Sequence, residues 1–192
     1  MNIAIDLDDV CLDFIGGILY SYEVEFGEPF TPFSGNSWGP DAVRLRDSAM
    51  WVECGYKDWW GWLRDREWLW GKVFKAIPGA VGGVKRLRTD GHYMECVTSK
   101  PEWAEFAVWQ FQARYRISFN RITIIPNGVS KLGRTDASII VDDKRSTCEE
   151  FAADGRVGIQ FNPGPDDGPN TNLLVAKNWP EVVAQIRGLD NG

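Results

Sequence analysis

The sequence predicts an α/β fold: a parallel sheet covered by helices on both faces, interrupted near its start by an all-helical insert. Three observations carry that prediction. From residue 76 onward, short β-branched runs alternate with helix-length segments, the pattern of βα units whose strands lie parallel. The first strand-like run, Asn2–Ile5, is cut off from that alternation by residues 14–75, which hold seven of the ten Trp residues in the chain. Several strand ends also carry polar clusters, and right-handed crossovers bring such ends to one edge of a sheet.

In order along the chain, Asn2–Ile5 is a compact β-branched run and reads as a buried strand. It stops at Asp6, Asp8 and Asp9, and alternation along an extended chain puts Asp6 and Asp8 on one side. Phe14–Phe26 has apolar residues at helical spacing (Phe14, Ile15, Ile18, Leu19, Tyr22) and ends at Gly27. Pro29, Pro32, Gly35 and Pro40 mark an irregular connection. Residues 41–51 read as one helix with Asp41 as N-cap, and 57–70 as another, broken around Gly61. After Pro78-Gly79, Ala80–Thr89 reads as a helix despite Gly82 and Gly83. A strand over 93–97 ends at Thr98-Ser99-Lys100, and a helix over 101–115 starts at Pro101. Strands at Arg121–Ile125, 138–141 and Val157–Phe161 flank a short helix at 146–153. Residues 162–172 form a polar loop without EF-hand spacing, read as a flexible rim. A final helix spans 179–187. The organisation expected is a core of residues 1–13 and 76–192, with residues 14–75 inserted.

Bulk properties narrow the function classes. A chain of 192 residues holds one full core plus a small insert. The formal charge of −6 argues against a broad nucleic-acid face, which needs Lys and Arg, but not against a small phosphorylated ligand. No apolar stretch approaches the ~20 residues that span a bilayer, and the first residues lack a basic region followed by an apolar one. The expected location is the cytoplasm, without a membrane partner. Cys11, Cys54, Cys96 and Cys148 lack metal-site spacing and read as free, buried thiols. His92 is the one histidine, so a zinc cluster or Ser/His/Asp triad is not available. It reads as structural. Chemistry here must rest on carboxylates, Lys and a hard metal.

The predicted edge collects Asp6 and Asp8 from the first strand, Thr98 and Ser99 from the second, and Asp142 and Asp143 from the fourth, with Lys131 in a loop nearby. Ligands bind at such edges in open α/β sheets. Taken singly, each group has a structural use: Asp142-Asp143 can cap the next helix, Thr98-Ser99-Lys100-Pro101 can be a plain strand-to-helix turn, and Lys131 can be a surface lysine. Jointly they match a motif set. Asp6-Leu7-Asp8-Asp9-Val10, Thr98, Lys131 and Asp142-Asp143 resemble the four motifs of the haloacid dehalogenase-like phosphohydrolase superfamily. Shorter strings resemble the 5'(3')-deoxyribonucleotidases within it. These are Ile77-Pro78-Gly79-Ala80, Thr98-Ser99, Arg121-Ile122-Thr123-Ile124, Ile139-Ile140-Val141-Asp142-Asp143-Lys144 and Asn178-Trp179. Two departures stand out. Asp9 occupies a position where many relatives have Gly, and Val10 one where Thr is common.

The resemblance implies a Rossmann-like core with a small all-α cap, and an Mg²⁺-dependent phosphomonoesterase acting on deoxyribonucleoside monophosphates. It implies Asp6 as nucleophile and Asp8 as general acid and base. It also implies a metal held by Asp6, the main-chain carbonyl of Asp8 and Asp142, with Asp143 orienting a metal-bound water or the neighbouring lysine. Thr98 and Ser99 would bind the phosphoryl oxygens and Lys131 would offset their charge. Lys100 is a further candidate contact for the substrate's phosphate or sugar, or else solvent-exposed. The clustered Trp residues suit a slot for a flat base, with most of them forming the core of the insert and one or two lining the pocket. A homodimer is possible by analogy. Alternatives are a phosphatase for another small metabolite, a polynucleotide 3'-phosphatase (disfavoured, with no Walker A motif or basic groove), and a non-catalytic binding protein on the same scaffold.

Overall fold

The structure is a computed structural model that describes residues 1–30, 40–164 and 173–190. A six-stranded parallel sheet forms its centre. The strands are β1 (Asn2–Ile5), β4 (Tyr93–Ser99), β5 (Arg121–Ile125), β6 (Ile139–Asp142), β7 (Val157–Phe161) and β8 (Leu174–Ala176). Their spatial order is β5-β4-β1-β6-β7-β8. The order reverses at β1, so the chain steps outward to one side through β4 and β5 and to the other through β6, β7 and β8. That is the doubly wound arrangement, with its crevice at the carboxyl end of β1.

Two residues of β2 (Leu12–Asp13) pair antiparallel with β3 (Lys75–Ala76), a short ribbon that ties the two ends of the intervening segment together. Between them lie helices α1 (Phe14–Phe26), α2 (Pro40–Arg46), α3 (Ala49–Glu53), α4 (Trp59–Arg64) and α5 (Trp68–Lys72). Helices α6 (Ala80–Thr89), α7 (Glu105–Tyr115), α8 (Arg145–Ala153) and α9 (Trp179–Asp190) belong to the alternating region.

The α1 boundaries follow from local chemistry. Gly27 closes the helix with a left-handed φ of 77° and returns its N–H to the Glu23 carbonyl. The helix expected over 41–51 is two helices, because the Ser48 side chain accepts the Met50 N–H and starts α3 afresh. The break expected at Gly61 falls instead after Arg64, since the Asp58 side chain caps α4 through the Gly61 N–H and places that glycine in the first turn. Pro101 precedes a 3-10 turn, Glu102–Ala104, and α7 begins only at Glu105. The sixth strand, β8, has three residues, too few to display an alternation.

Glycine inside α6 has a packing cause. A Cβ on Gly83 would lie 2.3 Å from Cε3 of Trp179. That indole is fully buried, and its Nε1 donates to the Val10 carbonyl at 2.8 Å, pinning the loop after β1. The insert packs as aromatic core. Trp51, Trp59, Trp60, Trp62 and Trp70 are buried, whereas Trp68 is 56% exposed; Trp38 falls outside the described residues. Phe14 stacks on Phe74 and Trp60, and Trp51 sits 4.8 Å from Trp62 with its Nε1 donating to the Leu45 carbonyl. Most of the 162–172 loop also lies outside the description. Cys11, Cys96 and Cys148 are free and buried, but Cys54, expected to be buried, is exposed at the end of α3. His92 is buried with Nδ1 3.3 Å from the Met1 amine, at the opposite end of the sheet from the aspartates.

Candidate active site

Asp6 extends the sheet by one residue, its N–H donating to the Val141 carbonyl at 2.9 Å. The chain then turns sharply, because the N–H groups of Cys11 and Leu12 both converge on the Leu7 carbonyl at 2.9 and 2.8 Å. Asp9 sits in this turn with a φ of 56°. Asp is among the few side chains that tolerate that region, which is also where Gly fits most easily. Its carboxylate Oδ1 accepts from the N–H groups of Phe14 and Ile15 at 3.1 and 2.9 Å. Asp9 therefore anchors the start of α1.

Asp6 and Asp8 reach the same edge, yet each has its own ammonium group. Lys131 lies 2.9 Å from Oδ2 of Asp6 and 2.7 Å from Oδ2 of Asp142, with all three side chains buried. Lys100 donates to both oxygens of Asp8 at 2.6 Å and is itself buried. A lysine read as a substrate contact or a surface group is therefore bonded to a candidate catalytic carboxylate. Rings from three helices and their junctions close around its ammonium: Trp70 at 4.7 Å, Phe14 at 5.3 Å and Trp60 at 5.8 Å. Cation–π attraction strengthens when such a pair is desolvated.

Thr98 and Ser99 end β4, the strand that pairs in parallel with β1. Thr98 is fully buried, and its hydroxyl has no partner among the described residues. Asp142 ends β6, with Oδ1 accepting the Lys144 N–H at 2.8 Å. Asp143 is buried, and neither of its oxygens has a hydrogen-bond partner among the described residues. Most buried polar atoms are paired, so both Asp143 oxygens are open to water or a ligand. Asp6, Asp142 and Asp143 each turn one oxygen to a common point, all within 4.8 Å of one another. An all-carboxylate set of this kind suits a hard divalent cation.

The electrostatics agree. Five buried aspartates (Asp6, Asp8, Asp9, Asp142 and Asp143) face two buried lysines, Lys100 and Lys131. Burial alone would raise the Asp6 pKa, but Lys131 and Lys144 outweigh it and hold Asp6 below the ordinary value. Burial raises Asp8, against Lys100 and with help from Asp6. Asp142 is likewise raised by burial, which exceeds the opposing pull of Lys131. Asp143 lies well above its ordinary range through burial and the Asp142 charge. Burial would lower Lys131, yet Asp142 and Asp6 carry it above its ordinary value and keep it charged. One carboxylate is thus favoured in its ionised form beside another pushed toward its protonated form.

Sequence reasoning placed the groups at this edge but not the Lys100–Asp8 pair. Its signal was faint: Pro101 fixes Lys100 in an extended backbone, and its N–H bonds to the Ile125 carbonyl, so its side chain is aimed by the sheet.

The doubly wound sheet, the two-stranded ribbon and this edge of aspartates define the haloacid dehalogenase-like fold. Among solved structures, the chain is similar to YfnB from Bacillus subtilis, assigned as a HAD-hydrolase and bound to magnesium. They share 16% identity and a TM-score of 0.64 over 96% of this chain and 97% of that one. It is similar also to a haloacid dehalogenase-like family hydrolase from Xanthomonas campestris (16% identity, TM-score 0.59, 100% and 96% covered). A third is the D,D-heptose 1,7-bisphosphate phosphatase from B. bronchiseptica, complexed with magnesium and phosphate (12% identity, TM-score 0.55, 100% and 99% covered). No protein-family model matches the sequence, and no curated protein does.

Proposed function

We propose that this protein is an Mg²⁺-dependent phosphomonoesterase. The observation that carries the reading is Asp6 held by Lys131 beside Asp142, with Asp143 lacking a hydrogen-bond partner among the described residues, at the carboxyl edge of β1. Asp6, Asp142 and Asp143 would hold the cation, with the main-chain carbonyl of Asp8 as a further ligand. Bound there, Mg²⁺ supplies positive charge against the phosphoryl oxygens and orients them.

The chain's own residues perform the rest. A carboxylate oxygen of Asp6 attacks phosphorus as the ester P–O bond breaks, giving an aspartyl-phosphate. Asp8 gives its proton to the departing alkoxide, then takes one from the water that attacks the same phosphorus. That second attack releases inorganic phosphate and restores the Asp6 carboxylate. The Thr98 hydroxyl and the Ser99 amide donate to the phosphoryl oxygens, and Lys131 offsets the charge that builds on them. Residues 14–75 serve as a cap that excludes water and selects the substrate.

The narrower reading is a 5'(3')-deoxyribonucleotidase. It rests on the short sequence strings and on the aromatic wall of Phe14, Trp60 and Trp70 facing Asp8's partner. Phosphate release from dUMP, dTMP, UMP, a sugar phosphate and an aryl phosphate, with Mg²⁺ against EDTA, tests both levels. Metal-dependent release favouring the deoxynucleotides supports the full reading. Release from the sugar or aryl ester alone keeps the chemistry and removes the nucleotidase. No release from any removes both.

A further inference from the structure

We infer that Lys100 is a positioning residue for Asp8, and that its aromatic cage makes this positioning depend on the inserted helices. The inference rests on the phosphomonoesterase reading above. Both oxygens of the Asp8 carboxylate lie 2.6 Å from one ammonium group, which fixes where the carboxylate sits and which way it faces. The ammonium in turn has little freedom. Its backbone is held by the Ile125 carbonyl, its side chain is buried, and three rings enclose it at 4.7–5.8 Å. Phe14 begins α1, Trp60 lies in α4 and Trp70 in α5. The group that aims Asp8 is therefore enclosed by side chains of the insert, while Asp8 itself belongs to the sheet edge.

Asp8 acts in both half-reactions, but only the first distinguishes one ester from another, and kcat/KM reports that step because it covers the reaction up to departure of the leaving group. An alkoxide leaving group needs its proton delivered at the moment the P–O bond breaks; a nitrophenolate does not. A misplaced acid thus penalises alkyl esters selectively, whereas damage to Asp6, the metal or the phosphate cradle slows both ester types alike. Lys100 is not asked to touch the substrate, so its loss should appear in kcat more than in KM.

The test compares wild type with Lys100→Met and Trp70→Leu on an alkyl phosphate (dUMP) and on p-nitrophenyl phosphate, with Mg²⁺ present. Circular dichroism and thermal melting first establish that each variant is folded. Lys100→Met is expected to lower kcat/KM on the alkyl ester by about 10²–10³-fold, the scale of general-acid catalysis, and on the aryl ester by less than about tenfold. Trp70→Leu leaves the ion-paired atoms in place and removes the nearest ring; it should show the same selectivity with a smaller loss. It carries the comparison alone should Lys100→Met fail to fold. Equal losses of kcat/KM on both esters, or losses confined to KM, would overturn the assignment. A wild-type protein inactive on both would instead remove the phosphatase reading on which it stands.

Discussion

Replacing Lys131 with Met removes the buried cation that two aspartates share. Its ammonium lies 2.9 Å from Asp6 and 2.7 Å from Asp142, and no side chain of the three is more than 4% exposed. Met matches the length of the lysine stem, so little packing is lost and the effect isolates the charge. Removing one partner of a buried ion pair costs about 3–5 kcal/mol. At roughly 2–4 °C per kcal/mol for a chain of this size, Tm should fall by roughly 6–20 °C at pH 7 in EDTA. The sign of the pH dependence is fixed by the directions of the shifts. Asp6 is held below its ordinary value, so its contribution is present above the unfolded carboxylate range and lost as pH falls through the folded value. Lys131 is raised, so its contribution is complete below the ordinary lysine range and lost only above it. The gap between wild type and variant should therefore be full near neutrality and narrow as pH falls below about 4. Thermal melts followed by circular dichroism at pH 7 and pH 3 measure it. A variant as stable as wild type at pH 7 would show that the ion pairs do not hold the site together.

Three further outcomes are expected. Gly83→Ala should destabilise by about 1–3 kcal/mol, because the added Cβ meets the Trp179 ring at 2.3 Å. Gly82→Ala meets open space in the same helix and should stabilise by up to ~1 kcal/mol; melts of the two variants check the pair. Asp9→Ala loses the anchor for the Phe14 and Ile15 N–H groups and should cost about 0.5–2 kcal/mol, with Asp9→Asn closer to wild type in denaturant titration. Mg²⁺ at a hundredfold excess over its Kd should stabilise the protein by ~2.7 kcal/mol. That gain should vanish in Asp143→Ala if the three-carboxylate cluster is the site, and calorimetry with the metal alone reads the same loss.

The sheet and its polar edge were legible because both depend on local pattern. Asn2–Ile5 is short, β-branched and followed at once by aspartates, and the βα alternation after residue 76 fixes where strand ends must gather. Helix α1 was legible to its last residue, since Gly27 supplies a left-handed stop. Features decided by distant partners were not. Gly83 is small because Trp179, almost a hundred positions later, occupies the space its side chain would take. Lys100 looked like a surface or substrate-binding lysine because its surroundings come from Asp8, Phe14, Trp60 and Trp70. The break before Ser48 turns on a single capping side chain, and Asp58 caps α4 so that Gly61 falls in its first turn instead of at a break. Strand β8 has no periodicity to read over three residues.

The most direct test of the account is whether phosphate becomes covalently attached to Asp6. Wild-type protein mixed with substrate and Mg²⁺, quenched in acid and digested, should yield a peptide containing residues 1–10 with one added phosphoryl group, labile to hydroxylamine. The Asp6→Asn protein should give none and should release no phosphate. A phosphorylated peptide from elsewhere in the chain, or steady turnover by Asp6→Asn, would contradict the assignment of Asp6 as the nucleophile.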